Sequence, residues 1–220
     1  DLEDDNNKRF FTDFIFNADP LPGHIFENKT ARILKDIQSD DSTTHANAMT
    51  GFEAARFTSQ DLPLLLPALI KSYSIDSGNI NATNRQISGV IEELMNDSAV
   101  EFIHQQYLEL PKENGSLKQI LVELLAKYKT QSSYNTIRDL IIISPPQQEN
   151  NYELSWYLKD SLKLSATLFP AIEKLYVDSI MAPLIIDLNI ALIDSQQTDD
   201  KVAMNNAANI YKVAGQQIAN

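Results

Sequence analysis

The residues able to do metal chemistry are scattered along the chain without the spacing that a metal site requires. His24, His45 and His104 stand far apart, and none has a second histidine or cysteine three or four positions away. A zinc site needs three or four converging ligands. The chain has no cysteine, which excludes disulfides, thiolate metal sites and cysteine nucleophiles. We therefore predict no metal ion and no cofactor, and we interpret the histidines as partly exposed helix residues.

Serine and carboxylate catalysis also lack their sequence patterns. Gly115-Ser116 does not form the G-x-S-x-G of a nucleophile elbow, so Ser116 is interpreted as a helix N-cap. The chain has only six glycines and neither glycine-rich phosphate-binding pattern. Glu92 and Glu93 would point about 100° apart on a helix, which predicts a solvated face rather than a shared proton. We predict no catalytic residue. The alternative is an accessory domain of an enzyme, or an enzyme whose site no linear motif reveals.

The residues with the best claim to binding are Tyr152, Trp156 and Tyr157. Trp156 is the only tryptophan of the chain. Exposed Trp and Tyr side chains anchor protein interfaces because they desolvate a large area at low entropic cost. The other interpretation is that Trp156 fills the seam between two helix pairs. The two differ in exposure: a binding residue is quenched readily by acrylamide, and a shielded, blue-shifted emission would contradict binding.

The charge of the chain restricts its partners. Its 18 basic residues face 30 acidic ones, for a net charge of -12. Nucleic-acid binding draws its free energy from neutralising phosphates with Lys and Arg, so it is excluded here, and an anionic membrane surface is disfavoured for the same reason. The longest apolar run, Leu62–Ile70, carries two prolines and falls well short of the roughly 20 residues that span a bilayer. We predict a protein partner and no membrane insertion.

The elements that position these residues are predicted to be helices. Apolar residues recur at helical spacing along the whole chain, and no segment alternates with period two for more than a few residues. The pattern predicts one all-α domain over residues 1–220, in which the bend at 145–151 either divides two subdomains or is a long loop between helices. The predicted helices include Asn7–Phe16, Ala46–Arg56, Tyr134–Ile143, Tyr152–Leu164, Phe169–Asp178, Met181–Ile193 and Lys201–Ala219.

Polar residues ahead of other apolar runs predict N-caps. Thr58-Ser59-Gln60-Asp61 fits a capping box before Leu62. Asp97 or Ser98 is predicted to cap the helix that carries Val100 and Ile103.

Two segments of the chain echo each other. Leu66-Pro67-Ala68-Leu69-Ile70-Lys71-Ser72-Tyr73 matches Phe169-Pro170-Ala171-Ile172-Glu173-Lys174-Leu175-Tyr176. The first segment, a turn containing Asp76, and then Asn84-Arg85 with small residues resembles a HEAT repeat, although Asn84 stands where that family has valine. This resemblance covers residues 61–97 and 165–193. It implies antiparallel helix pairs stacked into an α-α superhelix, a fold that docks proteins and carries no cofactor.

A second resemblance concerns the middle of the chain. Leu124-Leu125-Ala126-Lys127-Tyr128-Lys129, followed by Pro145-Pro146 and by Asp160-Ser161-Leu162, is similar to helical regions of long bacterial TraB/GumN-type envelope proteins. It implies an envelope or secreted setting, with any catalytic part outside this chain. The start at Asp1 rather than Met suggests a part of a longer protein. The function predicted from the sequence is a non-catalytic helical-repeat scaffold or protein-binding module.

Overall fold

The computed structural model describes residues 28–76, 81–147 and 152–198, together with residues 211 and 215. In these ranges every regular element is helical and no strand occurs, which confirms the predicted all-α class. The described α-helices are α1 (Thr30–Ile37), α2 (Ser42–Ala54), α3 (Leu62–Leu69), α4 (Ala82–Leu94), α5 (Asp97–Glu109), α6 (Gly115–Tyr128), α7 (Gln131–Ile143), α8 (Tyr152–Lys159), α9 (Leu162–Ser165) and α10 (Ala182–Asp194).

Short 3₁₀ segments complete the described elements, at Ser74–Asp76, Ala166–Leu168 and Ala171–Val177. The predicted helices Asn7–Phe16 and Lys201–Ala219 lie outside the described residues, except for residues 211 and 215. Most of the predicted division near 145–151 also lies outside them. Within the described ranges no helix is long and apolar enough to cross a bilayer.

The helices pack in two layers. In the odd layer α1, α3, α5 and α7 contact one another in turn, and the 3₁₀ segment Ala171–Val177 packs against α7. In the even layer α4 contacts α6, α6 contacts α8, and α8 contacts α10. Helix α2 extends the even layer, since Gln86 of α4 donates to Glu53 of α2 at 3.5 Å. Buried side chains from Leu34 to Leu192 form one continuous hydrophobic cluster between and within the layers.

Helix α6 lies at the centre of the described helices because it contacts α4, α5, α7 and α8. Eleven of its 14 residues are buried. They include Leu121 and Leu125, which have no exposed surface. They also include three polar residues, Lys118, Gln119 and Glu123.

Several helix starts differ from the predicted ones. Helix α2 begins at Ser42 rather than Ala46, because the Asp41 carboxylate accepts the Thr44 N–H at 2.7 Å. The N-cap of α5 is Asn96, which accepts the Ala99 N–H at 2.9 Å, so the predicted cap at Asp97 or Ser98 was wrong. Helix α6 already begins at Gly115, which places Ser116 inside the helix rather than at its cap.

The second half of the chain is more broken than predicted. The predicted helix Tyr152–Leu164 divides at Asp160-Ser161 into α8 and α9, and the predicted helix Phe169–Asp178 is a 3₁₀ segment. The two echoed segments differ accordingly. Pro67 lies inside the α-helix α3, whereas Pro170 follows a cis peptide bond and precedes the 3₁₀ segment.

Polar side chains join α3 to α4. The amide of Asn84 donates to the Leu69 and Lys71 carbonyls at 2.6 and 2.8 Å, at the end of α3. The Asp76 carboxylate accepts the Thr83 N–H at 3.2 Å and the Thr83 hydroxyl at 2.8 Å, at the start of α4. These bonds hold the two helices together as a pair.

Candidate protein-binding surface

Helix α8 presents two large aromatic side chains to solvent. Tyr152 is 77 % exposed and Trp156 is 59 % exposed. They lie four residues apart, so they share one side of the helix. The opposite side carries Leu154 and Leu158, which are fully buried. We call the exposed pair Tyr152 and Trp156 the α8 crest.

The exposure of Trp156 contradicts the interpretation that it fills a seam between helix pairs. A seam residue would be enclosed by neighbouring helices, whereas Trp156 stands on the side of α8 that faces away from α6 and α10. The hypothesis that it binds a partner stays a prediction.

Tyr157 lies beside the crest and is half-buried. Its ring centroid is 5.2 Å from that of Trp156, with the two planes tilted by 56°. The Lys127 ammonium of α6 lies 4.6 Å from the Tyr157 ring centre, a cation–π contact, and 2.8 Å from Glu92 of α4. Burial lowers the pKa of Lys127, but hydrogen bonds to Glu92 and Tyr157 outweigh it and leave the pKa raised. Tyr157 therefore supports Trp156 from the side of α6.

The other side of α8 is anchored to α10. The Asp187 carboxylate accepts the Ser155 hydroxyl at 2.5 Å and the Lys159 ammonium at 2.7 Å. The hydrogen bond from Lys159, followed by that from Ser155, lowers the pKa of Asp187. The carboxylate is therefore ionised at neutral pH and keeps α8 in place beside α10.

Arg85 of α4 joins three helices of the even layer. Its Nη1 lies 3.1 Å from Glu123 of α6 and 2.8 Å from Glu153 of α8. Glu123 is only 4 % exposed, and its other carboxylate oxygen accepts the Gln119 amide at 2.7 Å. Burial raises the pKa of Glu123 in spite of the hydrogen bonds from Gln119 and Arg85. Glu153, in contrast, has more than half of its side chain exposed.

The crest is thus an aromatic pair bordered by ion pairs on both flanks. Glu153 and Arg85 lie on the α4 and α6 side, and Lys159 and Asp187 lie on the α10 side. In protein interfaces in general, aromatic anchors occupy the centre and charged groups form a hydrated rim.

Glu123 is a buried carboxylate with a raised pKa. Both oxygens of Glu123 are occupied, and Glu123 does not line the surface grooves of about 410 and 430 Å³ beside α3 and α4. Among the described residues no three His, Cys, Asp or Glu side chains come together as metal ligands would.

The histidines have separate surroundings. His45 is buried, and its Nδ1 lies 2.7 Å from the Ile37 carbonyl and donates to it, so the prediction of a partly exposed side chain was wrong there. That prediction holds for His104, which is half-buried on α5. His24 lies outside the described residues.

The structure places all three predicted binding residues on α8, with Tyr152 and Trp156 outward and Tyr157 toward α6. Sequence reasoning did not identify Arg85, Glu123 and Lys127, which hold α8 and Tyr157 in place. Arg85 could have been found, since the HEAT resemblance already singled it out at the start of a second helix. Glu123 could not, because nothing in its own segment indicates that α6 is surrounded.

Comparison of the chain with protein-family models, with curated proteins and with solved structures gives no match.

Proposed function

We propose that this protein is a non-catalytic helical-repeat scaffold that docks a protein partner on its even layer through the α8 crest. The observation that carries the proposal is the exposure of Tyr152 and Trp156 on an otherwise firmly anchored helix. Large aromatic side chains on a rigid support lose little conformational entropy on binding, so most of the area they bury contributes to affinity.

The proposed architecture is a HEAT-like α-α superhelix. Support comes from the contacts of every second helix, α3 with α5 and α4 with α6 among them, which repeat along both layers. The bonds of Asp76 and Asn84 between α3 and α4 add to this, because they lie where the HEAT resemblance places its turn. Stacked helix pairs display a long continuous surface, and such surfaces bind proteins.

The anchoring of α8 supports the choice of this helix as the docking element. Arg85, Lys127 and Asp187 tie it to three neighbouring helices from both flanks. A crest held in this way meets its partner with little rearrangement, so the free energy of binding is not spent on ordering the helix. The partner is expected to offer an apolar recess for Trp156, with polar groups around it for the ion-paired rim.

The test is capture of cross-linked partners from the source cell, with the whole chain as bait in three forms. These are the native chain, Trp156→Ala, and Ile143→Ala as the control. Ile143 is 65 % exposed at the end of α7, in the odd layer. We expect the same partner with the native chain and Ile143→Ala, and at least about tenfold less of it with Trp156→Ala. Equal capture by all three forms would rule out the crest, and no reproducible partner would rule out the scaffold.

One observation favours the second candidate, an enzyme with a site that no linear motif reveals. The raised pKa of Glu123 is a property of general acids. A general acid must reach its substrate within hydrogen-bond distance, however, and Glu123 is 4 % exposed with both oxygens occupied. The scaffold is therefore the better-supported function.

A further inference from the structure

Lys118 is a buried lysine without a carboxylate beside it. It is the fourth residue of α6, and only 2 % of it is exposed. Its Nζ lies 2.8 Å from the Ser144 hydroxyl oxygen and 5.1 Å from the centre of the Tyr107 ring. Lysine is almost never fully buried unless it is paired with an opposite charge. Among the described residues Lys118 takes part in no ion pair, and its hydrogen-bond partner is instead a serine hydroxyl.

The position of Ser144 is held from two helices. Ser144 directly follows α7, and its N–H donates to the Leu140 carbonyl at 2.9 Å. Its own carbonyl accepts the Tyr107 hydroxyl of α5 at 2.7 Å. The chain beyond it crosses the start of α6, where Gly115 lies so close to the Gln147 carbonyl that a Cβ at this glycine would clash with it. Ser144 is half-buried, so part of it remains in contact with solvent.

The surroundings of Lys118 favour the neutral amine over the ammonium. Burial lowers the pKa of Lys118, the charge of Lys112 lowers it further, and the charge of Glu113 raises it by less. The first turn of a helix is the positive end of its dipole, which also disfavours an ammonium. The face of the Tyr107 ring acts in the opposite direction. The pKa lies below its ordinary value, so a larger fraction of Lys118 is neutral than of a surface lysine.

A neutral lysine amine at hydrogen-bond distance from a serine can accept the hydroxyl proton, and such pairs activate serine as a nucleophile. We propose that Ser144 is an acyl-acceptor site, which takes a small acyl group from a thioester with Lys118 as the base. Ser144 Oγ attacks the thioester carbonyl carbon, and a carbon–oxygen bond forms as the carbon–sulfur bond breaks. The electron pair of the broken bond leaves on the thiolate. The hydroxyl proton moves to Lys118 Nζ, which releases it to solvent.

A thioester is the class of acyl donor that suits this pair. Thiols have a pKa of about 8.5, so the thiolate leaves without first taking up a proton. Ser144 is half-buried and is followed by Pro145 and by the buried Pro146, which favours a small acyl group such as acetyl. The site accepts one acyl group per chain and lies at the end of α7, in the odd layer. It therefore goes beyond the proposed docking function and is independent of the α8 crest.

The test incubates the full chain with a small acetyl thioester, the S-acetyl derivative of N-acetylcysteamine. The chain has no cysteine, so exchange of the acetyl group onto a protein thiol is excluded. Mass spectrometry of peptides measures the acetylation rate at each residue, and hydroxylamine distinguishes a serine ester, which it cleaves, from a lysine amide. Ser132 is exposed at the start of α7 and is the matched control serine. The variants are K118R, which keeps a positive charge without a base, and K118M, and circular dichroism checks that each is folded.

We expect Ser144 of the native chain to form its ester at least about 100-fold faster than Ser132, the usual contribution of a positioned base. Its rate should rise with pH and reach half its maximum below the ordinary lysine pKa of about 10.4. K118R and K118M should lower the rate at Ser144 to that at Ser132. Equal rates at the two serines of the native chain would overturn the proposal. So would a hydroxylamine-stable acetyl group on Lys118 in place of the ester, or a Ser144 rate that K118R leaves unchanged.

Discussion

Helices α6 and α8 are neighbours in the even layer, and they differ in which of their side chains are buried. Helix α6 buries a carboxylate and an ammonium, those of Glu123 and Lys118, whereas α8 exposes the only tryptophan of the chain. The difference lies in what surrounds each helix. Helices α4, α5, α7 and α8 enclose α6, while α8 has α6 on one flank and α10 on the other.

Enclosure obliges the polar groups of α6 to find partners within the protein, because an unsatisfied buried polar group costs about 1–3 kcal/mol. Glu123 accepts Gln119 and Arg85, as described above. Lys118 donates to the Ser144 hydroxyl at 2.8 Å and lies 5.1 Å from the Tyr107 ring centre. Burial lowers the pKa of Lys118. On α8, in contrast, the side chains of Tyr152 and Trp156 are largely exposed.

The largest expected effect is on the free energy of unfolding, and it distinguishes a buried residue of α6 from an exposed residue of α8. Leu121→Ala in α6 should lower the free energy of unfolding by about 3 kcal/mol, because the enclosed site leaves a cavity. Trp156→Ala in α8 should lower it by no more than about 0.5 kcal/mol, since the ring is largely exposed. Urea denaturation followed by far-UV circular dichroism measures both. Similar losses for the two variants would mean that the α8 crest is part of the core.

The next effect separates two carboxylates that share one arginine. Glu123→Ala should cost about 2 kcal/mol of unfolding free energy, because it leaves Arg85 and the buried Gln119 without their carboxylate. Glu153→Ala removes the exposed partner of the same Arg85 and should cost no more than about 0.5 kcal/mol. The same denaturation experiment compares them, and equal costs would contradict the difference in burial.

The pH dependence of the two flanks should have opposite signs. Glu123 has a raised pKa in the folded state, so the folded state binds its proton more tightly. The stability of the native chain relative to Glu123→Gln should therefore fall as pH rises from the ordinary glutamate range through the raised value. Asp187 has a lowered pKa, so the stability relative to Asp187→Asn should be present above the ordinary aspartate range and fall as pH decreases below it.

Denaturation of the native chain and the two variants between pH 3 and pH 8 measures both dependences. Slopes of the same sign for the two pairs would refute the assignment of Glu123 as buried and Asp187 as ion-paired.

The smallest expected effect concerns the fluorescence of Trp156. An exposed indole emits at long wavelength and is quenched readily by acrylamide, so unfolding in urea should change the quenching constant by less than about twofold. A shielded, blue-shifted emission in the folded protein would show that another element covers the crest. The same quenching constant is measured for Tyr152→Ala, which shows whether the Tyr152 side chain shields Trp156.

Much of the local structure was predictable from the sequence. The helical spacing of apolar residues predicted a helix at Tyr134–Ile143, and α7 spans Gln131–Ile143, because helix periodicity acts over a few residues. The aromatic cluster on α8 was predictable for the same reason. The exact caps were not, since Asp41, Asn96 and Thr130 compete with neighbouring polar residues of similar propensity.

The sequence similarity between residues 66–73 and 169–176 shows that a local pattern does not by itself determine the backbone conformation. The two segments have matching residue types, yet one contains part of an α-helix and the other a 3₁₀ segment. Similar short sequences adopt different backbones when their neighbours differ, because tertiary packing outweighs a local preference of a few tenths of a kcal/mol per residue.

The sequence by itself therefore determined the all-α class of the protein. Few glycines, apolar residues at helical spacing, no cysteine and an excess of acidic groups are all local or summed properties of a sequence. The sequence did not determine which polar or aromatic side chains are buried and which are exposed. Glu123 and Glu153 are the same residue type on helices of the same layer, and one is buried while the other is exposed. That outcome depends on which helices lie beside each one, and such contacts join residues far apart in the chain, whose pairing no short pattern records.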